Sequence, residues 1–411
     1  MIDPPDEIRT LVAFEGRGPG SDAERRAARH LEGRLEKLGR EAEVEAAEIW
    51  PRWPLAYALH ALLAIVGGVL SVSVPLAGGL IVLVAVVLTF LDAAGILLTT
   101  RRLLGRRASQ NVVSREGGEK DGVLVLVAHM DAGRGGVAFS QGLTERIATL
   151  SQRVRRRVGP LDLLLWPMLA VLVCALLRVI GLEGELLTAI QFVPTVALIV
   201  VLALLVDTAI SGVVPGANDN GSGVATVLRL AERYGGGLEH LSVWALFTGG
   251  GEAFGQGMRS FLRRHKKGLD QERTVFIGID EVGAGTVRYT RREGAIATVR
   301  THDQLLELCD DIAEDDADEN AFAARRLVER GSGDGYVARA RGFPAITVTC
   351  RNALDYAPRH HRPEDTPERI DGESLERAYG FCCELVERLD AQIGPDLAKP
   401  LEDTVLSEDS S

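Results

Sequence analysis

The sequence predicts an α/β sandwich with a mostly parallel central sheet, interrupted by two hydrophobic helical hairpins. Three observations lead there. Outside two apolar blocks, strand-like and helix-like segments alternate along the chain, the pattern of a sheet covered by helices. Residues 123–128 are apolar at every position, as a central strand buried on both faces must be. From Trp53 to Leu91 there is no Asp, Glu, Lys or Arg, a run too long for one membrane helix and suited to two.

The elements follow in order. Ser21 and Glu24 form a capping box that opens a helix to about residue 38, followed by a strand over 43–49. The first hairpin pairs 55–74 with 76–98, with Pro75 and the Gly78-Gly79 pair marking the turn. Strands over 110–114 and 123–128 come next. The second hairpin pairs 163–182 with 186–206 through a short GLEGE connection. Pro194 is tolerated inside a packed membrane helix, and Asp92 and Arg178 fall near span ends, where a polar head reaches the interface. After it the reading is helix 219–234, strand 241–247, helix 256–265, strand 274–279, helix 303–314, strand 345–349 and helix 374–389. The acidic tail 400–411 has the composition of a disordered segment. The predicted division is therefore 1–52, 101–160 and 208–399 for one soluble domain, with hairpins at 53–100 and 161–207.

Charge sets orientation and excludes partners. Arg52, Arg101, Arg102, Arg106 and Arg107 flank the first hairpin, and Arg153, Arg155, Arg156 and Arg157 precede the second. The hairpin tips carry no Lys or Arg, so the positive-inside bias places the N-terminus and all the polar sequence in the cytoplasm. The basic stretch 146–157, with Ile147, Leu150 and Val154 at helical spacing, suits an anionic lipid surface. A net charge of −11 argues against nucleic acid as a partner. MIDPPDEIRT has no apolar core and reads as no signal peptide, and the five cysteines show no disulfide spacing, as in a reducing compartment.

Five potential metal ligands lie in a fixed order. His129 follows VLVLVA, Asp219 lies in GANDNGSG, Glu252 follows three glycines after a strand, Asp280 ends VFIGID, and His361 sits in HHRPEDTPERID beside His360. Four of the five fall where strands end, the usual place for ligands in an open α/β sheet, and Asp219 opens a helix. Singly, each has a bland alternative, Asp219 as a helix cap or Glu252 as a solvated loop carboxylate. Together, two imidazoles and three carboxylates suit a pair of divalent ions bridged by one carboxylate, which polarises a carbonyl and makes hydroxide from water. Asp131, two residues after His129, suits an orienting role.

The chain resembles the M28 family of zinc aminopeptidases and carboxypeptidases in GRGPGSDAERRAARHLEGRLEKLG, AHMD, GANDNGSGVA, FTGGGEAFGQGMRSFL, IDEVG, RGFPA and HHRPEDTPERID. The resemblance implies a phosphorylase/hydrolase-like three-layer sandwich and two zinc ions. His129, Asp219 and Asp280 would hold one and His361, Asp219 and Glu252 the other, with Asp219 bridging and Asp131 orienting. It also implies a peptide substrate. The chain departs from the family's adjacent glutamates: with Glu252 at the ligand position, Gly251 stands where the general base belongs. Nor does a histidine follow Asp334 in GDGYVARARGFPA. The expected function is a membrane-anchored zinc exopeptidase whose base is impaired or borrowed, from Glu281 or a substrate carboxylate. The alternative is an inactive peptidase-fold receptor or scaffold that binds metal or peptide.

Overall fold

The computed structural model describes residues 2–118, 120–316 and 321–394, so the acidic tail lies outside the described residues. Its centre is a nine-stranded sheet built from β1 (Glu43–Ile49), β2 (Arg107–Arg115), β3 (Gly122–His129), β4 (Leu241–Thr248), β5 (Thr274–Asp280), β6 (Thr286–Glu293), β7 (Val299–Arg300), β8 (Arg325–Glu329) and β9 (Ala345–Arg351). The order is β1-β2-β4-β3-β5-β9-β6-β7, with β8 paired to β6.

The sheet is parallel through β4-β3-β5-β9 and in the β6–β8 pair, and antiparallel in the β1–β2, β2–β4, β6–β9 and β6–β7 pairs. Against the expectation of a mostly parallel sheet, the pairs divide equally between parallel and antiparallel, and the fold is a mixed α/β one. The outer strand β1 reads EVEAAEI with alternating burial, as an edge strand with one wet face does. Strands β6 and β8 were not legible: TVRYTRRE and RRLVE look like solvated segments. Glu293 of β6 is paired with Arg339 in a buried ion pair, Arg288 of β6 reaches the half-exposed Asp355 at 3.0 Å, and Glu329 of β8 pairs with Arg351 of β9 at 2.9 Å.

The helices are α1 (Pro4–Val12), α2 (Asp22–Lys37), α3 (Trp53–Leu70), α4 (Pro75–Ala93), α5 (Thr99–Leu103), α6 (Gln141–Arg153), α7 (Asp162–Val179), α8 (Glu185–Ile210), α9 (Gly223–Arg233), α10 (Gln256–Arg264), α11 (Asp303–Asp315), α12 (Asp334–Arg339) and α13 (Gly372–Arg388). One face of the sheet packs against side chains of α1, α2, α9, α11 and α13, among them Leu31, Leu228, Leu305 and Phe381. The other packs against Met258, Phe261 and Leu262 of α10 and Tyr336 and Val337 of α12. That is the three-layer arrangement.

Helices α3, α4, α7 and α8 form an antiparallel bundle, and each is long and apolar enough to cross a membrane. At 1.5 Å per residue the first three span roughly 27 Å and the 26-residue α8 about 39 Å, against a hydrocarbon core of about 30 Å. Their outer faces expose Leu62, Val66, Leu80, Val84, Val173, Ile190, Phe192, Val193 and Val200. An α3–α4 contact this close requires glycine: a Cβ on Gly78 would stand 2.3 Å from the Ser71 backbone nitrogen. Inside, His60 is met by Thr89 and Thr100, and Arg178 by Gln191, whose amide donates to the Gly68 carbonyl at 2.7 Å.

The bundle does not hang free. Tyr57, Ala93, Leu161 and Leu164 share one apolar cluster with Ala295, Ile296 and Phe254 of the sheet domain. Arg330 reaches Asp162, at the start of α7, at 2.8 Å.

Candidate metal centre

Strand register brings the candidates together. His129 ends β3 opposite Thr248 of β4, and Asp280 ends β5, which pairs with the other side of β3. Glu252 follows β4 after its three glycines. Neighbouring strands lie about 4.8 Å apart, so three of the five side chains start at adjacent strand ends.

Asp219 does not open a helix as the sequence suggested. It lies in an irregular turn, Ala217–Ser222, with φ −109° and ψ 88°, and α9 begins only at Gly223. The reason is the competing side chains. Asn220 takes the Gly223 and Glu281 backbone N–H groups at 3.1 and 3.0 Å, and Asp365 takes those of Asn218 and Asp219 at 2.9 and 3.1 Å.

The turn aims the Asp219 carboxylate into the cluster. Its Oδ1 stands 3.4 Å from His129 Nε2, which is also 3.3 Å from Asp280 Oδ1. Its Oδ2 stands 3.3 Å from His361 Nε2, which is 3.0 Å from Glu252 Oε2. All five candidates therefore meet, with Asp219 between two groups. His360 also converges: it stacks on His361 at 4.0 Å, with Nδ1 3.1 Å from Asp219 Oδ2 and 2.8 Å from Glu281 Oε1. Of the two histidines, His361 stands beside Glu252 and His360 beside Glu281, and both reach Asp219.

The donor set fits zinc. Ligand atoms about 2.0–2.1 Å from a tetrahedral ion stand roughly 3.3–3.4 Å from one another, close to the spacings found. Asp219 Oδ2 and Asp280 Oδ1 are buried without a hydrogen-bond partner, a costly state for carboxylates unless a cation joins them. The His129 Nδ1 lies 3.1 Å from the Asp131 carbonyl. A carbonyl only accepts, so Nδ1 carries the proton and the Nε2 lone pair faces the cluster. Before an ion binds, the surrounding carboxylates favour a protonated ring, so an ion that takes up Nε2 must displace that proton. Burial pulls the His129 imidazole down, but Asp131, Asp219 and Asp280 hold it well above its ordinary value. Burial raises the Asp219 carboxyl, yet His129, His360 and His361 drive it well below the usual range. Burial and then Asp219 raise Glu252.

Asp131 works through the backbone. Its carboxylate accepts the N–H groups of Gly251 and Glu252 at 2.8 and 3.1 Å, fixing the loop that delivers Glu252. Gly251 is closed to any side chain, because a Cβ there would lie 2.3 Å from His129 Cβ and 2.5 Å from Cγ. Gly251→Ala is expected to push the His129 ring aside, weaken zinc about 10–100-fold and cost about 1–3 kcal/mol. Zinc titration and thermal unfolding check this, and unchanged zinc affinity counts against it. Glu281 is not a spare base: it is buried, paired to Arg351 Nη1 at 3.0 Å and to His360.

Three positioning groups escaped the sequence reading. Arg17 is buried and ties the Met130 carbonyl to those of Leu11 and Gly216, bracing the end of β3 against the Asp219 turn. Burial lowers it to about 10 against the pull of Asp131, Asp365, Asp219 and Glu252. Asp365 holds the Asp219 turn, and only its place in the His361 motif pointed to it. Glu24 does more than cap α2. Besides the Gly20 N–H it takes the Gly250 N–H at 2.9 Å and the Ser109 hydroxyl at 3.0 Å.

Burial, then Asp131, pushes Glu24 up to about 8. A raised carboxyl stabilises the fold fully below its unfolded value, about 4.3, and loses that contribution as pH rises through about 8. The metal-free protein is therefore expected to lose stability between about pH 5 and 8, on the order of a few kcal/mol at most. Glu24→Gln is expected to flatten that slope. Thermal midpoints measured across pH in chelator check it, and parallel curves for the two proteins count against it.

Residues 201–386 match the model of peptidase family M28, a span that holds Asp219, Glu252, Asp280 and His361. A search of curated proteins finds no match. Among solved structures, the chain is similar to a Zn-dependent exopeptidase from Parabacteroides distasonis, at 14% identity and TM-score 0.50, over 94% of this chain and 96% of that one. It is similar to the zinc aminopeptidase BSAP from Bacillus subtilis, at 14% and 0.51, over 94% of each chain. It is also similar to a glutaminyl cyclase from Bacteroides thetaiotaomicron, at 14% and 0.51, over 93% and 96%. Identity this low shows the fold. The chain thus carries a peptidase family M28 match over residues 201–386, on the mixed α/β fold of zinc exopeptidases.

Proposed function

We propose that the chain is a membrane-anchored, zinc-dependent exopeptidase of the M28 type, releasing residues from peptide ends at a co-catalytic pair of ions. His129, Asp219 and Asp280 would hold one ion and His361, Asp219 and Glu252 the other. The observation that carries this reading is the Asp219 carboxylate, whose two oxygens face separate imidazole and carboxylate pairs. Zinc, when bound, polarises the scissile carbonyl and lowers the pKa of water to about 7.

The chain's own groups position and move protons. Asp131 and Glu24 fix the glycine loop, and Arg17 and Asp365 fix the Asp219 turn. Gly251 supplies no base. Asp334 remains: it is buried, its Oδ2 accepts from Thr248 at 2.8 Å beside His129, and its Oδ1 has no hydrogen-bond partner. Burial pushes it up to about 7, which suits a group exchanging a proton near neutral pH. The four long apolar helices with exposed outer faces support membrane crossing, and their arginine flanks support a cytoplasmic sheet domain.

The closed Gly251 position favours a second reading, a receptor or scaffold that binds zinc and a peptide end without turnover. One experiment separates them. Detergent-purified protein is expected to hold about two zinc ions per chain and to release terminal residues from a peptide library in a chelator-sensitive manner. Zinc without turnover selects the receptor. Protein purified without bound zinc, and taking up none, defeats both.

A further inference from the structure

The centre lies in the seam between bundle and sheet, and each hairpin touches its wall. On the Glu252 side, Phe254 packs against Trp53 and Tyr57 in the first turns of α3, with ring centroids 5.6 and 5.9 Å apart. Trp50 exchanges backbone hydrogen bonds with the Gln256 side chain at 2.7 and 3.1 Å. On the His361 side, the Val137 N–H donates to Asp207, in the last turn of α8, at 2.7 Å. The same short turn carries Phe139, whose ring lies 4.4 Å from His361.

Chain continuity sets the height of the site above the bundle. Val214, four residues beyond the end of α8, donates to the Gly133 carbonyl at 2.9 Å, and the Gly135 N–H donates to Gly212 at 3.0 Å. Gly133 lies directly against His361, with room for no Cβ because one would fall 2.4 Å from Nε2. Four residues reach at most about 14 Å, so the cluster sits within roughly 15–20 Å of the end of α8. Trp53, the first residue of α3, is in contact with a residue two positions from Glu252. The start of one span and the end of another thus flank the cluster on the same side. A 39 Å α8 also outruns a 30 Å hydrocarbon core, which leaves its last turn, with Asp207, among the headgroups.

We propose that the site takes the end of a membrane-anchored polypeptide, presented at the bilayer surface within a few residues of its anchor, in preference to peptides arriving from solution. This rests on the membrane and exopeptidase reading above and names its substrate class. With the bundle against the strand ends, a terminus entering along the bilayer plane arrives at the height of the ligands. A freely diffusing peptide gains nothing from that placement.

The test uses the full chain, zinc-loaded, in phosphatidylcholine vesicles. One reporter peptide is offered free, or on a transmembrane helix through flexible spacers of about 5, 10 and 20 residues, at equal surface density and with either the amino or the carboxyl end outermost. Equal density holds co-localisation constant, so spacer length alone reads the height of the site. The expected result is fastest release at about 5 residues, falling several-fold by about 20. Release that rises with spacer length, or that is confined to the free peptide, overturns the proposal and leaves the exopeptidase reading intact. If no peptide is cut, the hydrolytic reading fails. Zinc-dependent photocrosslinking of the same anchored series then decides this proposal: capture strongest at about 5 residues supports it, and capture independent of spacer or of zinc overturns it.

Discussion

Asp219→Ala is expected to empty both halves of the metal centre at once. Each carboxylate oxygen serves a different group, Oδ1 beside His129 and Oδ2 beside His361, at 3.4 and 3.3 Å. Removing them leaves His129 with Asp280 and His361 with Glu252, two ligands apiece where a catalytic zinc site needs three. Bound zinc is expected to fall from about two ions per chain to none, and release of terminal residues to fall below detection. His129→Ala and Glu252→Ala each remove a ligand from one side only and are expected to keep about one ion. The fold should survive, because Asp365 grips the backbone N–H groups of 218 and 219, which alanine retains. Metal analysis beside circular dichroism reads the contrast. A folded Asp219→Ala protein that keeps one tightly held ion shows that the carboxylate is not shared.

The five candidates were legible because each is punctuated by strong local signals. His129 and Asp280 end uniformly apolar strands, Glu252 follows a glycine run, and Asp219 and His361 stand in dense polar motifs. What the sequence hid is what depends on distant partners. Asp219 looked like a cap until Asn220 and Asp365 were seen to claim the backbone around it. Glu281 looked like an available base until Arg351 was found across from it. Arg17, Asp365 and the second duty of Glu24 join segments more than a hundred residues apart, and no local pattern encodes such a pairing. Strands β6 and β8 were missed because four of their five arginines are solvent-exposed, so a periodicity reading sees polar segments and not the pairing of β6 with β9, and of β8 with β6, that recruits them. Gly251 was legible as a departure, whereas its steric closure against His129 was not.

The hairpins show the same division. Their length and apolar composition announced them, yet nothing local announced that the first one holds the Glu252 loop. Arg101 does this. It is fully buried, its guanidinium lies 2.5 Å from Asp92 at the end of α4, donates to the Tyr57 hydroxyl at 3.0 Å and the Ala253 carbonyl at 3.2 Å, and stacks 4.4 Å over Phe254. One side chain thus fastens two long apolar helices to the residue after Glu252. Arg101→Gln strands a buried carboxylate, which is expected to cost about 3–5 kcal/mol, and Asp92→Asn strands the arginine at similar cost.

The double variant removes both charges and is expected to recover much of the stability, since a buried ion pair is often worth little more than neutral packing. It cannot recover the bond to Ala253. Its zinc content on the Glu252 and His361 side should therefore stay low while its thermal midpoint rises toward wild type. A double-mutant cycle read by both midpoint and metal content separates the two contributions. Single variants that unfold earlier but keep full zinc and full turnover reduce the first hairpin to a simple anchor. Loss of zinc in the refolded double variant makes the first apolar hairpin part of the machinery that places a metal ligand.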